Sequence, residues 1–261
     1  MPFTISHPAA VLPFARLLGR WRVLSALVIG SMVPDFGYLM PWRLPRFETH
    51  SAAALLSFSL PIGLTAYWIF QRLLKTPLRE VLPDGAYAAS LPFAPIAAIG
   101  SLRQWIIASG GVLTGAVTHL IWDGFTHEGA RGVRMLPGLD EWFVDVGGHE
   151  LAGPRFLEDL SSIAGLIVVG WVLWRLLRTR APAELPPRRL QATQRRFWRA
   201  AYGLTALAVG ICDVLLMRWA YARPLGIAAF VGLAAIASLR GLGVAVLGVS
   251  LCLDWRLRRR V

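Results

Sequence analysis

Residues 51–71, SAAALLSFSLPIGLTAYWIFQ, contain no charged side chain. A helix of that length rises about 30 Å, the thickness of the hydrocarbon layer of a bilayer. Comparable apolar runs occupy residues 104–121, 160–174, 200–217 and 225–253. The last is interrupted by Arg240, which either faces the protein interior or snorkels to the interface. Backbone amides in lipid have no water to bond, so such runs must close their hydrogen bonds internally, as helices. Residues 86–101 are apolar as well, but Pro92, Pro95 and Gly100 make them a weaker span, interfacial or half-inserted. Composition agrees: 56% of residues are hydrophobic, 16% are charged and the mean hydropathy is +0.54. The expected architecture is therefore an all-α polytopic membrane bundle with five to seven spans.

The first forty residues do not read as a secretory signal. Arg16, Arg20 and Arg22 interrupt the apolar region, and His7 precedes any hydrophobic stretch. Two short helices fit better, over residues 9–18 and 23–33, with a basic elbow between them and Pro34 breaking the second at Asp35.

The net charge of +12 is unevenly placed. Eight of the 27 basic residues are arginines between Arg175 and Arg199, and four more close the chain at Arg256, Arg258, Arg259 and Arg260. Basic runs flanking membrane helices mark the cytoplasmic side. No base-stacking or groove-reading motif accompanies the charge, so nucleic acid is not an expected partner; the lipid bilayer is. Cys212 and Cys252 lie in apolar spans and read as core filler. The expected division is a metal-site helical membrane domain over 1–159, then a three-span region over 160–261 carrying the basic loop and tail.

Placing the arginine loop and tail inside orients the rest. The span at 160–174 starts outside, so residues 128–159, with seven acidic residues and three arginines, lie on the outer face. The span at 104–121 then runs outward and delivers His119, Asp123 and His127 to its outer end. The span at 51–71 runs inward and puts His50 there too, and with the basic elbow inside, His7 and Asp35 face the same side.

The chain has only five histidines, and three residues of metal-ligand type fall in THLIWDGFTH, residues 118–127. A step of four residues on a helix returns to the same face about 6 Å further along, so His119 and Asp123 can share an ion. His127 lies about 12 Å from His119 along an unbroken helix. Either Gly124 ends the helix and lets His127 swing back, or Asp123 bridges two metals. Imidazole with carboxylate is a donor set that suits zinc and related ions, and ionisable groups at membrane depth are costly unless they serve a function. Candidate metal ligands are therefore His7, Asp35, His50, His119, Asp123 and His127. His149, in GGHE of the outer loop, either joins the site or is a surface residue.

PFTISHPAAVLPF, SALVIGSMVPDFGYL, FETHS and THLIWDGFTH, taken in order over about the first 150 residues, resemble a bacterial membrane family catalogued as domain of unknown function 4184. The same order of His, Pro-Asp, Thr-His-Ser, His-x3-Asp and His is similar to inner-membrane metal-dependent hydrolases related to zinc-dependent phospholipase C and S1/P1 nuclease, which are all-helical. This implies a phospholipase C/P1 nuclease-like helical core in the bacterial cytoplasmic (inner) membrane. It also implies one metal on Asp35, His50, His119 and Asp123, a second using His7 and Asp123, and a third beginning at His127. The soluble enzymes carry a late His-x3-Glu pair, whereas Gly153 stands four residues after His149. One or two ions, zinc by resemblance, are therefore expected.

The function expected is a membrane metal-dependent hydrolase of phosphoesters, with a phosphoester or lipid as substrate. Asp35 would orient a water made acidic by the ion. Arg43 and Arg46 are candidate anion contacts or solvated interfacial residues. The alternatives are a metal or ion transporter and a non-catalytic membrane protein with a buried His/Asp network. No Ser-His-Asp order, phosphate-cradling glycine loop or nucleophilic cysteine offers competing chemistry.

Overall fold

A computed structural model of the protein describes residues 4–17, 23–38, 44–93, 101–136, 138–139, 141–146, 149–182, 184–220 and 227–259. In chain order the elements are α1 (Pro8–Leu17), α2 (Leu24–Met32), α3 (Arg46–Thr49), α4 (Leu60–Ile69), α5 (Lys75–Val81), α6 (Asp84–Ser90), α7 (Leu102–Thr126) and α8 (Arg131–Met135). They continue with β1 (Phe143–Val146), β2 (His149–Ala152), α9 (Gly153–Leu177), α10 (Ala192–Ala220) and α11 (Ile227–Arg258). The protein is helical, as the apolar runs require, apart from one antiparallel hairpin with Phe143 opposite Ala152 and Val146 opposite His149. Gly-Gly between the strands is a two-residue hairpin turn sequence that the helical reading passed over.

Among the described residues four helices are long and apolar enough to cross a membrane: Leu102–Thr126, Gly153–Leu177, Ala192–Leu216 and Ile236–Arg258. The run at 51–71 is helical from Leu55 but not uniform. Wide π turns at Leu55–Ser59 and Phe70–Leu74 bracket α4, and each lies just before a helical proline, Pro61 and Pro77. Proline offers no N–H to the carbonyl one turn back, and a widened turn upstream absorbs the mismatch. Over 86–101, α6 is followed by a 3-10 turn, Leu91–Phe93, and residues 94–100 lie outside the described residues. Pro34 does not end the helical path at Asp35: tighter 3-10 turns carry it on through Val33–Tyr38.

The described chain packs as two compact units, Met1–Tyr67 with Ala98–Leu173, and Trp68–Ala97 with Trp174–Val261. In the first, α2 lies against α7 at backbone distance. A methyl at Gly30 would strike the Val112 carbonyl, one at Gly111 would come within 2.8 Å of Ala26 Cβ, and one at Gly115 would strike the Leu27 carbonyl. Small residues allow this approach where lipid offers no hydrophobic drive for association. Val11, Val23 and Leu27 form one core patch of this unit, and Val33, Ala54 and Phe58 another.

In the second unit α10 and α11 form an antiparallel hairpin. Gly241 packs on the Ala206 carbonyl and Gly210, the Tyr202 hydroxyl meets Ser250 Oγ at 2.8 Å, and Val81, Leu190, Trp198, Val249, Leu253 and Leu257 make the core. Arg240 turns inward, its Nη1 3.3 Å from the Asp213 carboxylate across the hairpin. Arg188, one of the arginines of the basic run, makes specific contacts within this unit. Its Nη2 donates to the carbonyls of Glu80 (2.6 Å) and Leu82 (2.9 Å) and Nη1 to Asp84 (2.6 Å), with the guanidinium 4.1 Å from the Tyr87 ring centroid. Cys212 and Cys252, expected as core filler, are exposed free thiols. The helices that carry them are largely unburied, so their apolar side chains face the surroundings, as membrane helices do.

Candidate metal centre

Gly111, Gly115, His119 and Asp123 succeed one another at steps of four along α7 and share one face. The two glycines admit the backbone of α2, and that approach brings the Ser31 carbonyl within 2.8 Å of His119 Nδ1. A carbonyl only accepts, so Nδ1 carries the proton and Nε2 holds the lone pair. His119 is 1% exposed, and its Nε2 lies 3.5 Å from Asp123 Oδ2 and 3.6 Å from Asp35 Oδ1.

The other partners arrive from three further segments. Asp35 sits in the 3-10 turns after α2, held by the Thr4 hydroxyl donating to Oδ2 at 2.8 Å. His50 caps α3. The Thr49 hydroxyl lies 2.7 Å from His50 Nδ1 and 3.3 Å from the Arg46 carbonyl, while His50 Nε2 hydrogen-bonds Asp35 Oδ1 at 3.3 Å and lies 3.5 Å from Asp123 Oδ2. His7, just before α1, stacks on His119 with ring centroids 3.8 Å apart and planes at 19°. Burial, with His119 alongside, pushes the His7 imidazole down to about 4, so it is neutral at neutral pH and keeps a lone pair to give.

Two sets of three ligand atoms lie within 4.8 Å of one another: His7, His119 and Asp123, and Asp35, His50 and His119. Three buried atoms here lack a hydrogen-bond partner: His7 Nε2, His119 Nε2 and Asp123 Oδ1. Buried polar atoms are normally paired. Ring nitrogens and carboxylate oxygens converging at this density suit a cation between them, and Nδ1 atoms set against a carbonyl and a hydroxyl are the outer-shell pattern of metal-binding histidines. The residues fit a divalent ion.

His127 behaves differently. α7 runs through Gly124 to Thr126, so the glycine does not end it, and His127 turns away with extended backbone at φ −118° and ψ 132°. Its Nδ1 lies 3.8 Å from Asp123 Oδ2, at the more exposed rim, and belongs to neither set of three. Arg46 reaches the centre directly: Nη2 donates to Asp123 Oδ2 at 2.6 Å. Arg43 lies outside the described residues, and so does the side chain of His149 on β2. Glu158, on α9, was not foreseen. It is buried, joined to Arg155 at 3.1 Å, and its charge acts on His127. As one of seven acidic residues in residues 128–159 it carried no local signature. The four-residue ladder from Gly111 to Asp123 was the available signal for where α2 meets the site.

The chain belongs to the family described as domain of unknown function (DUF4184), whose model matches residues 1–251. The match extends well past the motifs of the first 150 residues and takes in α9, α10 and most of α11. Comparison with curated proteins and with solved structures returns no match.

Proposed function

We propose that this helical membrane protein is a metal-dependent hydrolase of phosphoesters, with one divalent ion, zinc by its donor set, held by His119 together with Asp35, His50, His7 and Asp123. The carrying observation is the group of buried lone pairs without hydrogen-bond partners, His7 Nε2, His119 Nε2 and Asp123 Oδ1, beside the Asp35–His50 pair. Both sets of three ligand atoms include His119, which supports a reading with one shared ion. A second ion would need Asp123 as a bridge and His127 as its partner at the rim.

Bound there, the ion would supply Lewis acidity, lowering the pKa of water toward 7 and polarising a phosphoryl oxygen. The chain's own groups do the rest. Asp35, anchored by Thr4 through Oδ2, would orient the water, and His127, at the more exposed rim, would be the group to protonate a leaving group. The burial of the other ligands excludes bulk water from the reacting centre. The similarity of the motif order to inner-membrane hydrolases of the phospholipase C and P1 nuclease type points the same way. It also supports a lipid or other phosphoester reached from the outer face of a bacterial inner membrane.

The test is metal analysis of the full chain purified in detergent, followed by turnover of bis(p-nitrophenyl) phosphate before and after chelation. Stoichiometric metal with chelator-sensitive turnover supports the proposal. Metal without turnover of any phosphoester would leave a binding or transport role, and a chain that takes up no metal would make the cluster a packing network.

A further inference from the structure

Arg46, a candidate anion contact in the sequence, is engaged instead with a ligand of the cluster. Its side chain is 38% exposed, while the Asp123 side chain it touches is 4% exposed, so the contact joins a partly exposed arginine to a carboxylate buried with the histidines. Nη2 donates to Asp123 Oδ2 at 2.6 Å, and His50 Nε2, His119 Nε2 and His127 Nδ1 approach the same oxygen at 3.5, 3.5 and 3.8 Å. Arg46 therefore stands at the more open edge of the cluster, on the same Asp123 oxygen that the ring nitrogens approach.

We infer that Arg46 is a metal-coupled anion clamp: without metal it serves as the counter-ion of Asp123, and a divalent ion on the cluster frees its fork to bind the tetrahedral oxyanion of the substrate. This rests on the metal-site reading and adds the residue that would bind the substrate's oxyanion.

Geometry carries the argument. At the centre Asp35 and Asp123 face one guanidinium, and Arg46 supplies counter-charge to the Asp123 oxygen that three ring nitrogens also approach. A divalent ion seated among those groups would share Asp123, which would then hold Arg46 less tightly. A planar fork beside a cation matches two oxygens of a phosphate, which a lysine ammonium, as a point charge, cannot do. Arg46 is built on the first turn of α3, whose last residue leads straight into His50, so a shift of this short helix moves the clamp and a ligand together.

The experiment uses the full chain in detergent, cobalt(II) as a metal whose visible bands report its coordination, and inorganic phosphate as the anion. Wild type should bind cobalt, and phosphate should then perturb the bands saturably, with no phosphate binding to the metal-free protein. Arg46→Gln should bind cobalt at least as tightly as wild type, because a competitor for Asp123 has gone, and should bind phosphate at least tenfold more weakly. Arg46→Lys should fall between the two. Phosphate affinity unchanged in Arg46→Gln, or cobalt affinity reduced in both variants with helicity intact, overturns the clamp and leaves the metal site standing. A wild type that binds no cobalt overturns the metal reading itself, and the clamp with it.

Discussion

Replacing Gly115 by alanine tests whether helix approach, and not merely the ligand list, makes the centre. Gly115 lies one turn before His119 on the same face of α7. A methyl there would strike the Leu27 carbonyl and lie 2.5 Å from Ser31 N and 2.8 Å from Gly30 C, all backbone atoms that cannot rotate aside. Ordinary contact needs about 3.5 Å, so α2 and α7 must part by about 1 Å. That separation takes the 2.8 Å contact between His119 Nδ1 and the Ser31 carbonyl to about 3.8 Å, outside hydrogen-bonding range. Losing such an outer-shell partner lowers metal affinity by about 10- to 100-fold, or ~1.4–2.8 kcal/mol. The overpacking should also lower stability by about 1–3 kcal/mol. Gly110→Ala is the control: its methyl meets nothing within 4 Å, and alanine favours the helix over glycine by up to ~1 kcal/mol. Zinc titration calorimetry and thermal melts on both variants in detergent give the comparison. Equal zinc affinity for Gly115→Ala and wild type, or equal loss in the two variants, would refute the reasoning.

Asp123→Asn should strip bound metal more completely than His127→Ala, because Asp123 contacts the whole cluster while His127 touches only its rim; metal content of the two purified variants decides, and the reverse order would centre the site on His127. A reporter fused after Arg188 should lie in the cytoplasm and one fused near Asp140 outside, since α9 separates an acidic segment from the arginine-rich one; both on one side would end the topology argument. In the α10–α11 hairpin, Asp213→Leu alone should cost about 1 kcal/mol or more by stranding a guanidinium in an apolar face, and Asp213→Leu with Arg240→Leu should recover most of it. Equal melts for the single and double variants would show that the pair is not coupled.

Fold class was legible in the sequence because it follows from solvent. Long apolar runs leave the backbone no hydrogen-bond partner in lipid except itself, so helices and their rough bounds could be read directly, α1 and α2 to within a residue. Proline positions are equally local, yet their effect was not: Pro61 and Pro77 left the chain helical and widened the turns before them, and Pro34 gave way to 3-10 turns. The His119–Asp123 pair was readable because both residues lie on one helix, where spacing is geometry. What tertiary structure alone decided was which distant groups met that pair. His7 stacks on His119, and Asp35 and His50 close on it. Arg46, equally consistent with a solvated residue in the sequence, reaches Asp123, and Glu158 comes from a helix begun thirty residues later. Sequence lists donors, but convergence depends on how closely α2 and α7 approach, and that distance is set by atoms absent from Gly30, Gly111 and Gly115.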